Sequence, residues 1–417
     1  MPIEDLRELL AEQSLTFLAG IPYVYHCHHY NLFHDQTIDD ALGETEGARV
    51  RTIAAHNAFR ELLGAVFAAT GATTPAERIS LAAEVFAWMG QGRISLDVSS
   101  SGGRARSPSL HYGFAWREKY GAKVKRDEPT DAVAAGFAAA TNELAFDLAA
   151  EAITATETRC LAARDPECEF TLTPGKGHLS RPPIDEAAVR RYVIPAIRGL
   201  DEDRVAAISA GLLEFMRAVQ GDERGLVAAF NVFVTAHLPG YYNETVYEAV
   251  HHIERTAPAG AAAIEALMRE AGQVCVFNTF GNVLLSPEWE GMVGPLSGVP
   301  TDMMSFCTAI ARGLGFGHWL IHEYEPHRRL VIQATSNYEV PFYRARYGVA
   351  KKPRSYFVQG AALAMMLLSE TVPWTERPQL TNAYYIDLFR GKPRYRVEQT
   401  RCMSRGDQLC EYVVEAL

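Results

Sequence analysis

Two stretches with the same cysteine spacing decide the fold: "ETRCLAARDPECEF" at 157–170 and "EQTRCMSRGDQLCEY" at 398–412. Seven residues separate Cys160 from Cys168, and seven separate Cys402 from Cys410. Both cysteines of the second pair follow the first by the same offset, since 402 − 160 and 410 − 168 both equal 242. Each stretch fits a strand, a turn and a second strand. We infer that the chain contains two copies of one unit.

The residues upstream of each cysteine pair also correspond. "GQGRISLDVSSSGGRARSPSLHYGFAWREKYG" starts at Gly90, and "GFGHWLIHEYEPHRRLVIQATSNYEVPFYRARYG" starts at Gly315. Both predict two strands joined by a Gly- or Pro-containing turn, followed by an aromatic and basic segment. A helix of small residues comes next, with Gly136 in the first copy and Gly360 in the second. Each copy is therefore predicted to be an α+β unit with an antiparallel sheet and helices.

Between the two copies the strand signal almost disappears. Four segments carry apolar residues at helical spacing, separated by Gly, Pro or Asp: 185–200, 202–219, 223–238 and 244–257. We predict a first small-molecule-binding domain over 1–181, a helical connector over 182–271 and a second, degenerate domain over 272–417. The connector is too apolar for a flexible linker, so we expect it to pack the two domains together.

Composition limits the class of protein. The chain has 417 residues, 48% of them hydrophobic and 22% charged, which indicates a globular protein. Its net charge of −10 gives no basic surface for nucleic acid. The acidic, amphipathic N-terminus and the absence of a long apolar run predict a cytoplasmic protein without a membrane segment. A homodimer is compatible with this composition.

The stretch "YHCHHYNLFH" at 25–34 concentrates side chains that bind metals or move protons. We expect 26–31 to be extended, so that His26 and His28 share one face of a strand and chelate one ion. If the segment instead begins a helix, His26 and His29 share a face. Clustering on a solvent-exposed surface is the alternative interpretation, and an ordinary core or surface role is favoured for His56, His178 and His237.

Further candidates extend this site. His111 is predicted on a strand of the same unit, where it either lines the pocket or is an ordinary half-buried residue. With histidines from 26–34 it would form an open site suited to iron or copper that binds oxygen, or to a catalytic zinc. The candidate residues of this site fall into three groups. The predicted metal ligands here are His26, His28, His29, His34 and His111. The predicted catalytic residues are Cys27 and His29, and the predicted substrate-binding residues are His111, Tyr112, Trp116 and Tyr30.

The two copies differ at this site. We match 25–34 with "GQVCVFNTFGNVLL" at 272–285, which contains no histidine. A cluster required for folding would be expected in both copies. Its presence in one copy therefore favours a functional role.

The Tyr-Gly closure of the aromatic segment, the helices of Gly136 and Gly360 and the cysteine strands resemble the 4-vinyl reductase domain family. That family is related to the heme nitric-oxide-binding fold and to the sensory domains of phenol-responsive activators. The resemblance implies a structural zinc held by Glu157, Cys160 and Cys168 beside a pocket for an aromatic or similarly sized ligand. A fourth ligand, a cysteine in the sensors, has Asp131 as its nearest counterpart. In the second copy Gln399 replaces Glu157.

Two functions remain open at this point. The first is a metal-dependent oxidoreductase that uses dioxygen on a small organic substrate, with non-heme iron or copper, or heme, at the histidines. The second is a binding or sensor protein for a small molecule, heme or metal, without catalysis. Reduction of a tetrapyrrole vinyl group rests on analogy alone, because the sequence contains no nicotinamide-binding fingerprint.

Overall fold

The structure is a computed structural model that describes residues 2–121, 126, 131–175, 195 and 197–417. The strands are β1 Arg7–Leu10, β2 Leu15–Leu18, β3 Ile21–Cys27, β4 Ser95–Ser99, β5 Gly102–Ser107, β6 Ile153–Arg159, β7 Cys168–Pro174, β8 Val227–Ala229, β9 Val232–His237, β10 Trp319–Glu325, β11 Arg329–Ala334, β12 Tyr395–Arg401 and β13 Cys410–Ala416. The helices are α1 His28–Leu42, α2 Glu44–Thr70, α3 Pro75–Trp88, α4 His111–Tyr120, α5 Ala132–Ala145, α6 Glu202–Ala218, α7 Pro239–Thr256, α8 Ala261–Cys275, α9 Gly281–Leu285, α10 Pro287–Val293, α11 Pro300–Gly313, α12 Val340–Tyr347, α13 Tyr356–Thr371 and α14 Asn382–Phe389. A π-helical turn, Val276–Phe280, joins α8 to α9.

Two four-stranded antiparallel sheets have the same topology. Their strand orders are β4-β5-β7-β6 and β10-β11-β13-β12. The register shifts once in each sheet, between Glu157 and Arg159 in β6 and between Gln399 and Arg401 in β12. These irregularities are again 242 positions apart, since 399 − 157 and 401 − 159 both equal 242. The predicted α+β class is confirmed.

A third sheet, in the order β1-β2-β3-β9-β8, joins the start of the chain to the predicted connector. β3 pairs with β9 in antiparallel register, from Val24 opposite His237 to Cys27 opposite Val234. The connector was predicted to be helical throughout, and this is wrong for 223–238, which contains β8 and β9. The predictions for 202–219 and 244–257 agree with α6 and α7, and most of 185–200 lies outside the described residues.

A two-residue turn explains the error in the connector. Phe230 and Asn231 have φ values of 54° and 59° and connect the paired residues Ala229 and Val232. Positive φ at both central residues is the geometry that lets a two-residue loop follow the twist of a hairpin. Because β-branched and aromatic residues follow the turn, the segment forms strands although its apolar residues also fit a helical period.

Each four-stranded sheet is covered by a helix that approaches a neighbour closely. A Cβ added to Gly136 in α5 would lie 2.5 Å from the backbone nitrogen of His56 in α2. A Cβ added to Gly360 in α13 would overlap the carbonyl oxygen of Arg269 in α8. Glycine therefore allows the same backbone contact in both units.

No helix among the described residues combines the length and the apolar character that crossing a bilayer requires.

Candidate functional site

A cluster of buried thiols and carboxylates forms where β6 and β7 meet. The ligand atoms of Glu157, Cys160 and Cys168 all lie within 4.8 Å of one another. No other group of three or more His, Cys, Asp or Glu side chains meets this criterion within the described parts of the chain. The short 3-10 turn Leu161–Ala163 brings the two cysteines together, and the Leu161 amide donates to Cys168 Sγ over 3.4 Å.

Asp131 adjoins this cluster at the start of α5. Its backbone amide donates to Glu157 Oε2 over 2.9 Å, and its Oδ1 accepts from the Ala134 amide as the helix cap. Asp131 Oδ2 and Glu157 Oε1 are buried and have no hydrogen-bond partner among the described residues. Burial, followed by the nearby Cys160 thiol, raises the pKa of Asp131 to about 7. The two oxygens therefore lack a donor or a cation.

The equivalent cluster in the second unit is neutral at both positions and partly hydrogen-bonded, with the buried Gln399 Nε2 left without a partner among the described residues. Ser355 stands 224 positions after Asp131, the offset that relates Gly360 to Gly136, and Gln399 replaces Glu157. The Ser355 hydroxyl donates to Glu339 Oε2 over 2.7 Å and lies 2.7 Å from the Tyr412 hydroxyl. Cys402 Sγ lies 3.0 Å from Ser404 Oγ. Both carboxylates of the first cluster are thus replaced by neutral side chains.

A cavity of about 460 Å³ opens beside the first cluster, between α2, α5 and β6. Asp131 and Glu157 line it, together with Ile53 and His56 of α2. Small side chains make up much of the remaining wall: Ala48, Ala132, Ala135, Ala139 and Ala155. The cavity exists because these positions carry methyl groups where larger side chains would fill the space.

The second unit carries larger side chains at the corresponding positions. In the order of the first unit, Ala132, Ala135, Ala139, Ile153 and Ala155 correspond to Tyr356, Gln359, Leu363, Tyr395 and Val397. The Tyr356 hydroxyl donates to Glu265 Oε1 over 3.2 Å and accepts from Arg354 over 2.9 Å. The space is therefore occupied by protein in the second unit.

The histidine stretch changes secondary structure in its middle. His26 and Cys27 end β3, whereas His28 and His29 begin α1. The predicted extended conformation of 26–31 is therefore wrong beyond Cys27, and His26 and His28 do not share a strand face. The β3–β9 pairing stops at Cys27, which is where the strand gives way to the helix.

The histidines have separate neighbours. His26 stacks on Tyr30 with ring centroids 3.9 Å apart, and its Nδ1 lies 3.4 Å from Cys275 Sγ. The His28 Nδ1 accepts from the Phe233 amide over 3.2 Å. His28 and His29 lie with ring centroids 3.9 Å apart. Cys27 is completely buried, which raises the pKa of its thiol and disfavours the thiolate that nucleophilic or redox chemistry needs.

His34 is enclosed on α1. Its Nε2 lies 2.8 Å from the Thr245 hydroxyl. That hydroxyl donates its proton to the backbone carbonyls of Tyr241 and Tyr242. With that hydroxyl proton in use, His34 Nε2 acts as the donor and its Nδ1 is left as an acceptor. The side chain is 1% exposed.

Three of the remaining pocket candidates, His111, Tyr112 and Trp116, lie on α4. His111 begins this helix, so its predicted place on a strand is wrong. His111 Nε2 accepts from the amide of Asn31 over 3.0 Å, and the Tyr112 hydroxyl lies 3.0 Å from His237 Nε2. The guanidinium of Arg126 lies over the Trp116 ring. None of His111, Tyr112, Trp116 and Tyr30 lines the 460 Å³ cavity.

His237 was missed as a site residue, and the match between the two copies was wrong. Residues 272–285 are helical, whereas 25–27 lie in a strand. The counterpart of β3 and the start of α1 is "VTAHLPGYYN" at 234–243, which also places a histidine at the end of a strand and "YN" in the helix that follows. A search for this Tyr-Asn pair would have found it. Aligned on this pair, His237 falls opposite Tyr25, so the second copy carries a histidine one position before the place of His26.

Several histidines have one ring nitrogen that is buried and has no hydrogen-bond partner within the described ranges. These atoms are His26 Nε2, His29 Nδ1, His34 Nδ1, His111 Nδ1 and His237 Nδ1. Burial lowers the pKa of His34 and of His237 to about 3 and that of His29 to about 2. The imidazoles are thus neutral at pH 7, the form that binds metals.

Known proteins offer little similarity. No protein-family model matches the sequence, and no curated protein matches it. One solved structure that the chain resembles is the crystal structure of the phenol-responsive sensory domain of the transcription activator PoxR with phenol. It shares 13% identity and has a TM-score of 0.33, over 41% of this chain and 86% of that one. Membership of the 4-vinyl reductase family therefore stays a prediction.

The buried histidines predict a loss of stability in acid. Because the pKa of His34 is about 3 in the folded chain and about 6.5 in an unfolded one, the unfolded state binds an extra proton between these values. The free energy of unfolding should fall by up to about 1.4 kcal/mol per pH unit for each such histidine as the pH drops below about 6.5. Urea unfolding at pH 7 and pH 5 measures this slope.

The variant His34→Gln should reduce the slope by about one proton, and His322→Gln, exposed on β10, is the matched control. The difference between variant and wild type separates His34 from Asp35, whose pKa burial raises to about 6 with the opposite effect on stability. An unchanged slope in His34→Gln would contradict the prediction.

Proposed function

We propose that the protein binds a small, largely apolar molecule in the cavity of its first unit. The cavity between α2, α5 and β6 is the observation that carries this proposal. Its volume of about 460 Å³ lies within the range of about 300–1,000 Å³ found for small-molecule sites. Five alanines and two isoleucines supply the apolar part of the wall, and ten polar or charged side chains, Thr52 and His56 among them, supply the rest. Such a wall suits an aromatic or compact aliphatic body.

The second unit acts as the structural partner in this proposal. Its larger side chains at the corresponding positions, Tyr356 and Leu363 among them, leave no matching space. The two units share one fold but differ in whether the helix–sheet interface is filled. This difference supports a dedicated ligand site, because four of the five compared positions carry alanine in the first unit and a larger side chain in the second.

Filling the cavity should abolish binding. Ala48 is half-buried on α2 and lines the cavity. In Ala48→Phe the ring takes the ligand's space, so binding of the neutral probe 2-naphthalenemethanol should weaken at least about tenfold. Isothermal titration calorimetry on the full chain measures this, with a wild-type dissociation constant expected below about 1 mM.

The matched control is Ala69→Phe, an exposed position on the same helix, which should bind the probe as the wild type does. Thermal unfolding verifies that both variants are folded. Wild-type protein that binds none of a panel of one- and two-ring neutral aromatics would refute the proposal.

We further propose that Glu157, Cys160, Cys168 and Asp131 hold a zinc ion. Two thiolates and two carboxylates form a four-ligand set of the kind that tetrahedral zinc accepts. The two partnerless oxygens, Asp131 Oδ2 and Glu157 Oε1, support the fit, because a cation is what a buried pair of carboxylates lacks. Zinc here would be structural and would fasten the start of α5 to β6 and β7.

Metal content should follow the first cysteine pair alone. Cys160→Ser removes one thiolate and should abolish about one zinc per chain, and the free energy of unfolding should drop as the buried carboxylates lose their cation. Cys402→Ser in the second unit is the matched control and should leave the zinc content unchanged. Mass spectrometry of the purified chain without a histidine tag gives the stoichiometry.

A metal-dependent oxidoreductase that uses dioxygen is the second candidate. It is favoured by the partnerless ring nitrogens of His26 and His34, which are neutral and therefore able to bind iron or copper. His111 would join them only with its Nδ1 deprotonated, which requires its Nε2 to give up the bond from Asn31. The histidine nitrogens of the described residues would also have to move together, since no three of them lie within 4.8 Å of one another. This site would lie among α1, α4 and β9, separate from the zinc cluster.

The oxidoreductase predicts iron or copper near one per chain, with an optical absorption to match. His26→Ala/His28→Ala should remove that metal and retain zinc, and His322→Ala is the control on an exposed strand position. Zinc alone, unchanged by the double substitution, would exclude tightly bound metal at these histidines and leave small-molecule binding as the function.

A further inference from the structure

The cavity has one arginine whose position is fixed by its surroundings. Arg126 lines the cavity and has a side chain that is only 11% exposed. Its guanidinium donates to Asp39 Oδ2 over 2.9 Å and to Gln36 Oε1 over 3.1 Å. The Cζ atom also lies 5.1 Å from the centre of the Trp116 ring. A planar cation held on three sides is arranged for recognition of a planar anion.

Arg126 also has donor capacity to spare. Its Nε is buried and has no hydrogen-bond partner in the part of the chain that the structure describes. A buried donor left without an acceptor costs free energy, and a ligand oxygen would supply the acceptor. Arg49, the other arginine of the cavity, differs in both respects: its side chain is 56% exposed and its charge is paired with Glu46 one turn away.

Arg126 belongs to a buried group of two arginines and two aspartates. Asp39 is shared between two arginines, because it also accepts three hydrogen bonds of 2.8 to 3.2 Å from Arg51. Asp35 completes this group as the second partner of Arg51. At pH 7, above the pKa of about 6 to which burial raises Asp35, the two arginines and the two aspartates balance. What the group offers a ligand is therefore the partnerless Arg126 Nε rather than a net charge.

We infer that the ligand of the cavity is an apolar molecule that ends in a carboxylate, and that Arg126 binds this carboxylate. The inference rests on the proposed function and names the class of ligand. The apolar body lies against the alanines of α2 and α5, and the carboxylate lies against the guanidinium. An amine is the competing class, because Asp131 and Glu157 also line the cavity; zinc binding would occupy those carboxylates.

Matched naphthalene probes test the inference by calorimetry on the full chain. Wild type should bind 2-naphthoate at least about tenfold more tightly than 2-naphthalenemethanol, which has the same body without the charge. In Arg126→Gln the ratio of the two dissociation constants should fall to about one, because the acid loses its charged partner. Arg49→Gln is the matched control and should preserve most of the preference, because an exposed, ion-paired arginine contributes little.

The outcomes separate this inference from the proposed function. If the alcohol binds and Ala48→Phe blocks it, but 2-naphthoate gains nothing or 2-naphthylmethylamine binds more tightly, the cavity is a ligand site and the carboxylate inference is overturned. If no probe binds, the proposed function itself fails. Should Arg126→Gln not fold, the comparison of acid, alcohol and amine on wild-type protein still decides the ligand class, and Arg126→Lys then tests the residue.

Discussion

The antiparallel pairing of β3 with β9 is the contact on which the rest of the structure depends. It joins a strand from the start of the chain to one that begins 58 positions after the end of the first four-stranded sheet. It also carries each strand's histidine into the other unit. His26 of β3 packs against Tyr338 and Phe357, whereas His237 of β9 bonds with Tyr112. The histidine at the end of each strand therefore packs among residues of the other unit, and the two units share one interior.

The two cysteine clusters show how one backbone supports two kinds of stabilisation. With carboxylates at 131 and 157, the first cluster buries two acidic groups whose pKa is raised first by burial and then by the neighbouring Cys160 thiol. In the second cluster the neutral Ser355 bonds with Glu339 and Tyr412, and the neutral Gln399 stands in place of the other carboxylate. A cation suits the first chemistry and is unnecessary in the second. The turn and the paired strands are the same in both clusters. The difference between the clusters therefore comes from the side chains at two equivalent positions.

The repeat and the α+β class could be predicted because the cysteine spacing and the Gly136 and Gly360 helices are local patterns. The cluster of Glu157, Cys160 and Cys168 followed from the same pattern, since its members lie within one strand-turn-strand segment. What sequence reasoning missed depends on distant pairing: the end of β3 at Cys27 is set by β9, more than 200 residues away. The cavity could not be predicted in detail, because residues of three separate elements form its walls. Many of these residues have small side chains, which do not mark a binding site in a sequence.

The pairing of two similar units within one chain has a genetic consequence. In a symmetric dimer of identical chains, any substitution appears in both halves at once, so a residue that opens a cavity in one half opens it in the other. Here position 132 can remain alanine while position 356 is tyrosine. A tandem arrangement thus lets one half retain the filled interface that stabilises the pair, while the other half is free to give up packing for an internal space. Two similar units in one chain are thus free of the symmetry that would otherwise give both interfaces the same packing.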